Sequence, residues 1–203
     1  MHLAEGVLNV PTLLATAGCT ALGIAMGLRR LSPQTLPTAA LFAAVFFLIG
    51  TIHIPIGVGS VHLILNGLIG LLLGWLAFPV IFVALALQAL LFSFGGFTSL
   101  GANTLLMALP AVIAGLTLRP LLQQPSSQPK LLIVGAAAAT LGIFGSTLLA
   151  AIMLWSTGGS MLSGLIGLFV AAQTPVWLIE AIVTALTVGM LGRARPTAFT
   201  LGT

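Results

Sequence analysis

Residues 61–93 read "VHLILNGLIGLLLGWLAFPVIFVALALQALLFS". The reading of this run decides the fold. It is either one long helix or two helices joined by a tight turn. Its only interruptions are Gly74, Trp75 and Pro79, and Gly and Pro are the strongest local breakers of regular structure. A helix needs ~20 apolar residues to cross a bilayer. Splitting or fusing the run therefore changes the number of crossings by one and moves every later segment to the other side.

That the chain lies in a bilayer follows from composition. Only 4% of its 203 residues are charged and 59% are hydrophobic. Mean hydropathy is +1.25. A soluble domain carries about 25% charged residues, so no water-facing surface can be built from this chain. Its net charge of +4 says little about nucleic acid, and its basic residues serve as topology markers. One cysteine, Cys19, excludes an internal disulfide and a Cys-x-x-Cys site. Residues 1–203 show no repeat and no low-complexity tail and read as one membrane domain. "LLATAGCTA" around Cys19 distantly resembles a lipoprotein cleavage site, but the preceding region holds Glu5 and no basic residue, so the segment is expected to be kept.

Apolar runs predict helices near 8–28, 36–53, 61–74, 77–93, 102–119, 131–155 and 172–192. Residues 160–171 are either a further span or a short helix on one face. The basic residues decide both open points. Arg29 and Arg30, Arg119 and Lys130, and Arg193 and Arg195 share one side only with seven spans. Fusing 61–93 splits them, and so does counting 160–171 separately. Lys and Arg accumulate on the cytoplasmic side. The expectation is an all-α polytopic protein, a bundle of seven transmembrane helices with its N-terminus outside and its C-terminus in the cytoplasm.

This topology gathers all 3 histidines at the outer face. His2 is at the chain start, His53 ends the second helix and His62 begins the third. A terminal amine, the amide nitrogen of residue two and a His2 ring nitrogen close two fused chelate rings on one ion. A further imidazole such as that of His62 completes a four-nitrogen plane, which favours Ni(II) or Cu(II). The bulky second residue hinders removal of Met1. The plain alternative is that His2 is incidental and that His53 and His62 are satisfied polar groups at helix ends. Ser60 and His62 stand two apart, do not face one another on a helix and have no Asp to join them, so a hydrolase is not expected. No G-x-x-x-x-G-K-[ST] loop exists, so uphill transport would draw energy from a partner or an ion gradient. Glu180 is the one acid inside a span, a candidate either for function or for a link between helices. Asn66, Gln88, Asn103 and Gln173 are intramembrane amides, suited to supporting a site or to holding helices together. Ala17, Ala21 and Ala25, and Cys19, Gly23 and Gly27, form two small-residue rows for close helix contact, within the chain or with another subunit.

"MHLAEG" resembles the MHI-x-[DE]-G opening of the CbiM/NikM proteins. "GSVHLILNGLIGLLLGW", "LQALLFSFGGFTSLGANTLLM" and "IEAIVTA" are similar to internal motifs of that family, in the same order, and the likeness covers residues 1–192. These are substrate-binding (S) components of energy-coupling factor transporters for nickel and cobalt in prokaryotic cell membranes. The resemblance implies a non-catalytic subunit that carries Ni(II) or Co(II) as substrate and binds no nucleotide. It implies partners: a transmembrane coupling (T) subunit, two ATP-binding cassette ATPases and sometimes a small accessory membrane subunit. It implies metal held by the Met1 amine, by the amide and ring nitrogens of His2, and by His62. His53, Ser60, Asn103, Gln173 and Glu180 are then auxiliary residues around the site. Many relatives carry His where this chain has Gln173, which weakens any expectation of a ligand from the last helix. The alternatives are a membrane scaffold with structural histidines, or an S component for an organic micronutrient. Nickel and cobalt are not separated by sequence.

Overall fold

Asn9 starts the first helix. Its Oδ1 accepts the Thr12 N–H at 2.9 Å, and Pro11 occupies the first turn, where a missing N–H costs no helical bond. In the computed structural model, which describes residues 2–52, 54–56, 59–122, 126–195 and 198–199, helix α1 runs Val10–Leu28 and α2 runs Leu36–Thr51. Helix α3 (Asn66–Leu73) is followed by a 3-10 turn at 74–76 and by α4 (Ala77–Phe92). Helices α5 (Leu100–Leu118), α6 (Gln128–Gly158) and α7 (Ser163–Ala194) complete the chain order. Among the described residues, 5 helical stretches are long and apolar enough to cross a membrane: Val10–Leu28, Asn66–Phe92, Leu100–Leu122, Gln128–Met161 and Ser163–Ala194. Leu36–Thr51 is a shorter apolar helix. The protein is an all-helical polytopic membrane protein. Large apolar side chains such as Leu14 and Leu22 on α1 and Leu178, Ile182 and Leu186 on α7 face outward, as contact with lipid requires.

The run 61–93 breaks at Gly74, as its sequence suggests, with φ +55° there. Its start differs from expectation. Helix is expected from 61, yet α3 begins at Asn66: Val61 belongs to a small sheet, and residues 62–65 are in neither helix nor strand. Strand β1 (His2–Leu3) and strand β2 (Ile54–Ile56) both pair antiparallel with the central strand β3 (Gly59–Val61). The other uncertain stretch, 160–171, is neither a separate span nor a surface helix: a 3-10 turn over Gly159–Leu162 leads into the first turns of α7.

Helix α3 has only 8 residues, all buried, and packs against α5 and α6. So short a helix leaves most of its backbone ends unsatisfied. An acidic and a basic side chain answer at its two ends. The N–H groups of Ile64 and Leu65 donate to Oε1 of Glu180, the latter at 3.0 Å. At the far end Arg119 Nη2 donates to the Leu72 carbonyl at 2.6 Å. Acid at the N-terminal end and base at the C-terminal end match the helix dipole. Asn66 adds a lateral clamp: its Nδ2 donates to Met107 O, Gly142 O and Ser146 Oγ at 3.1, 3.2 and 2.9 Å. Asn66 is thus interhelical glue rather than a site residue. Gln88 acts likewise, donating to the Phe47 carbonyl at 3.0 Å.

Close backbone approach packs the bundle. A Cβ on Gly70 would fall on the backbone of Ala111, and one on Gly115 would fall on Gly70. The rows on α1 are used inside the chain: Gly101 of α5 lies against Ala17, Gly23 against the Phe78 ring, and Gly27 against Trp75 and Pro79. Ala21 and Ala25 stay exposed. Gly70→Ala is expected to force α3 from α5, at a cost of about 1–3 kcal/mol. Thermal unfolding in detergent should show a lowered Tm, whereas Gly18→Ala, where a Cβ meets nothing within 4 Å, should leave it unchanged or slightly raised.

Candidate metal centre

Strand β1 carries His2 into the bundle by backbone pairing. Its register places His2 opposite Ser60 and Leu3 opposite Gly59. The other edge of β1 would present unpaired peptide groups, and a buried N–H or C=O without a partner is costly. Asn103 on α5 fills that edge. Its Oδ1 accepts the Leu3 N–H at 2.8 Å and its Nδ2 donates to the Leu3 carbonyl at 3.0 Å. The side-chain amide stands in for a peptide group of a further strand. It is fixed in turn by Ser99, whose Oγ accepts from Asn103 Nδ2 at 3.2 Å and donates to the Gly95 carbonyl.

Gly95 closes this side. Its φ is +73°, and a Cβ there would lie 2.8 Å from Asn103 Nδ2 and 3.4 Å from His2 Nδ1. Only glycine lets the loop lie so close to the histidine in this backbone conformation. Gly96 follows with φ +83° and lies against Glu5. Glu5 Oε1 accepts the Thr98 N–H at 2.9 Å. That bond holds the Glu5 carboxyl below the usual carboxylate range.

His62 enters from β3. Its ring centroid lies 4.8 Å from that of His2, with the planes tilted by 32°. Both residues are buried, each 3% exposed. His62 Nδ1 is 2.6 Å from the Leu63 carbonyl. A carbonyl only accepts, so Nδ1 carries the proton and the ring lone pair sits on Nε2, the form in which imidazole binds a metal. Phe46 of α2 meets the His62 ring edge-on, at a centroid distance of 6.2 Å.

The structure thus brings His2 and His62 together, with Asn103 bonded to Leu3, the residue after His2, and Glu180 under the segment that follows His62. Gln173 is on α7. It is 2% exposed and lines a cavity of about 100 Å³ between α6 and α7 with Ile143, Phe144, Thr147, Val170, Thr174 and Trp177. Met1 and His53 lie outside the described residues, and of Ser60 only the backbone is described. Among the described residues no group of three or more His, Cys, Asp and Glu side chains comes together. A metal here has two imidazoles within reach, and its other ligands must come from elsewhere. Sequence reasoning missed Glu5, Ser99, Gly95 and Phe46. The Gly95–Gly96 pair between two apolar runs was the available signal, since paired glycines mark a turn.

Helices that turn apolar side chains outward around a small polar site holding two buried imidazoles define a polytopic membrane protein with a candidate ion site. Residues 2–198 match the family described as "CbiM: Cobalt uptake substrate-specific transmembrane region", and the chain belongs to that family. It is 47% identical to a "Putative metal transport protein" of Haemophilus influenzae, covering 97% of this chain and 95% of that one. It is 34% identical to the "Fused nickel transport protein NikMN" of Rhodobacter capsulatus, over 75% of this chain and 46% of that longer protein. The fold superposes on the "Crystal Structure of an Truncated Transition metal Transporter" with a TM-score of 0.73 and 25% identity, covering 94% of this chain and 96% of that one. The chain is therefore a non-catalytic, multi-pass membrane component of cobalt or nickel uptake in prokaryotes.

Asn103→Ala is expected to leave the Leu3 peptide groups buried and unpaired, at about 1–3 kcal/mol per group. Hydrogen exchange at the Leu3 amide, read by mass spectrometry, should accelerate at least tenfold, about the effect of 1.4 kcal/mol.

Proposed function

We propose that this protein captures Ni(II) or Co(II) as substrate from the outer face for ATP-driven import. The ion is held by the Met1 amine, the amide and ring nitrogens of His2, and Nε2 of His62. The observation that carries this reading is the pair of buried imidazoles 4.8 Å apart, one of them presented on the N-terminal strand. Metal arriving there displaces the amide proton of His2, which only a strongly polarising cation achieves. That requirement excludes Mg and Ca, and nitrogen ligands suit nickel and cobalt. His53, Ser60 and Gln173 are auxiliary in this reading, with Asn103 and Glu180 holding the two backbones that carry the histidines.

The chain crosses the membrane seven times, with its N-terminus outside and Arg29, Arg30, Arg119, Lys130, Arg193 and Arg195 toward the cytoplasm. It has no nucleotide loop, so energy comes from partners: a transmembrane coupling subunit and two ATPases, with a small accessory membrane subunit where one is present. The fused nickel protein of Rhodobacter capsulatus, which joins a region similar to this chain to further sequence, supports assembly with such subunits.

Titration of purified protein with Ni(II) and Co(II), followed by calorimetry and absorbance, tests the site. His2→Ala and His62→Ala should each weaken binding at least about a hundredfold, as expected for loss of roughly 2.7 kcal/mol. One residue added before Met1 should do the same by displacing the amine. Binding equal to wild type in all three sinks the assignment. For topology, green fluorescent protein fused after Thr203 should fluoresce, and alkaline phosphatase there should be inactive.

A further inference from the structure

We infer that Glu5 is a positioning residue that latches the loop 93–98 over His2 and thereby sets how long the metal is retained. The inference rests on metal capture at His2 and His62 and adds a residue to it. Glu5 and Glu180 are the only acids in the chain. Each accepts backbone N–H groups from one of the two loops beside the histidine pair: Glu180 from Ile64 and Leu65, and Glu5 from Thr98. Glu180 is fully buried, whereas Glu5 is exposed. An exposed clasp on a surface loop can open without disrupting the bundle.

The loop it holds is the one that covers the site. Gly95 lies against the His2 ring and Asn103, and Gly96 lies against the Glu5 side chain itself. Both glycines adopt positive φ, so the loop's path is set by backbone conformation and by its anchors. The anchors are Ser99, which donates to the Gly95 carbonyl, and Glu5, which accepts from Thr98. Ser99 is buried at the start of α5 and stays with that helix. Glu5 sits on the same segment as His2, three residues on. The Glu5–Thr98 bond therefore ties the ligand-bearing segment to its own cover. Breaking it frees the loop to lift from His2 while the His2–His62 geometry persists. The expected consequence is faster release with little change in capture.

The test uses full-length protein in nanodiscs loaded with Ni(II), with release followed by stopped flow into excess chelator. Glu5→Ala should speed release about tenfold, the usual scale of one charge-assisted hydrogen bond, and change the association rate by less than about threefold. Glu5→Gln keeps an acceptor oxygen and should restore release to within about threefold of wild type. Thr98 amide exchange should rise in Glu5→Ala and not in Glu5→Gln. Gly96→Ala, which drives a methyl group into Glu5, should speed release as well and serves if Glu5→Ala fails to fold. Wild-type release rates in Glu5→Ala or Gly96→Ala, a Glu5→Gln variant that behaves like Glu5→Ala, or unchanged Thr98 exchange overturns the latch. Wild-type protein that binds no Ni(II) or Co(II) instead overturns the capture reading beneath it.

Discussion

The carboxyl group of Glu180 beneath the Ile64 and Leu65 amides determines where the third helix begins. Leu65 takes φ +53°, a conformation that disfavours residues with a side chain. Such backbone persists only where its surroundings over-determine it. Here a buried acceptor on α7 collects consecutive amides, and α3 starts one residue later. His62 is held a short distance before that point, its Nδ1 bonded to the next peptide carbonyl. One contact between distant parts of the chain thus fixes the start of the central helix and the segment that follows His62.

The same economy governs the second histidine. A two-residue strand has little stability of its own. Pairing of β1 with β3 positions it from one side, and the Asn103 amide imitates a peptide group on the other. With so few charged residues available, the protein builds its polar end from backbone pairing and from single side chains that each satisfy peptide groups. Arg119 on Leu72, Glu180 on Ile64 and Leu65, and Glu5 on Thr98 all follow this pattern. For the buried bonds of Arg119 and Glu180 the low-dielectric interior strengthens the contact, and an unpaired group there is correspondingly costly.

The placement of several polar residues was legible without coordinates. His2 and His62 were singled out by their rarity and by the charge-derived topology, and the structure brings them side by side. Asn103 was expected near the site and bonds the residue after His2. Glu180 was left between function and interhelical contact, and its bonds join α7 to the segment behind His62. Gln173 was grouped with the site, and it lines a cavity between α6 and α7. Periodicity could not separate these cases, because a helix with apolar residues on every face gives no signal for the direction in which a given amide points.

Sequence by itself determined the solvent. A chain with 4% charge and long apolar runs must place its helices in lipid, and hydrophobic length alone sets roughly where they lie. It also supplied the inventory of candidate side chains, 3 histidines and 2 acids among 203 residues. Tertiary structure decided which of the short non-helical pieces became strands, where α3 starts, and which polar side chains meet. Those outcomes rest on hydrogen bonds between residues a hundred or more positions apart, such as Leu3 to Asn103 and Leu65 to Glu180. Local propensity carries no information about partners at that separation; only the packed bundle brings them within reach.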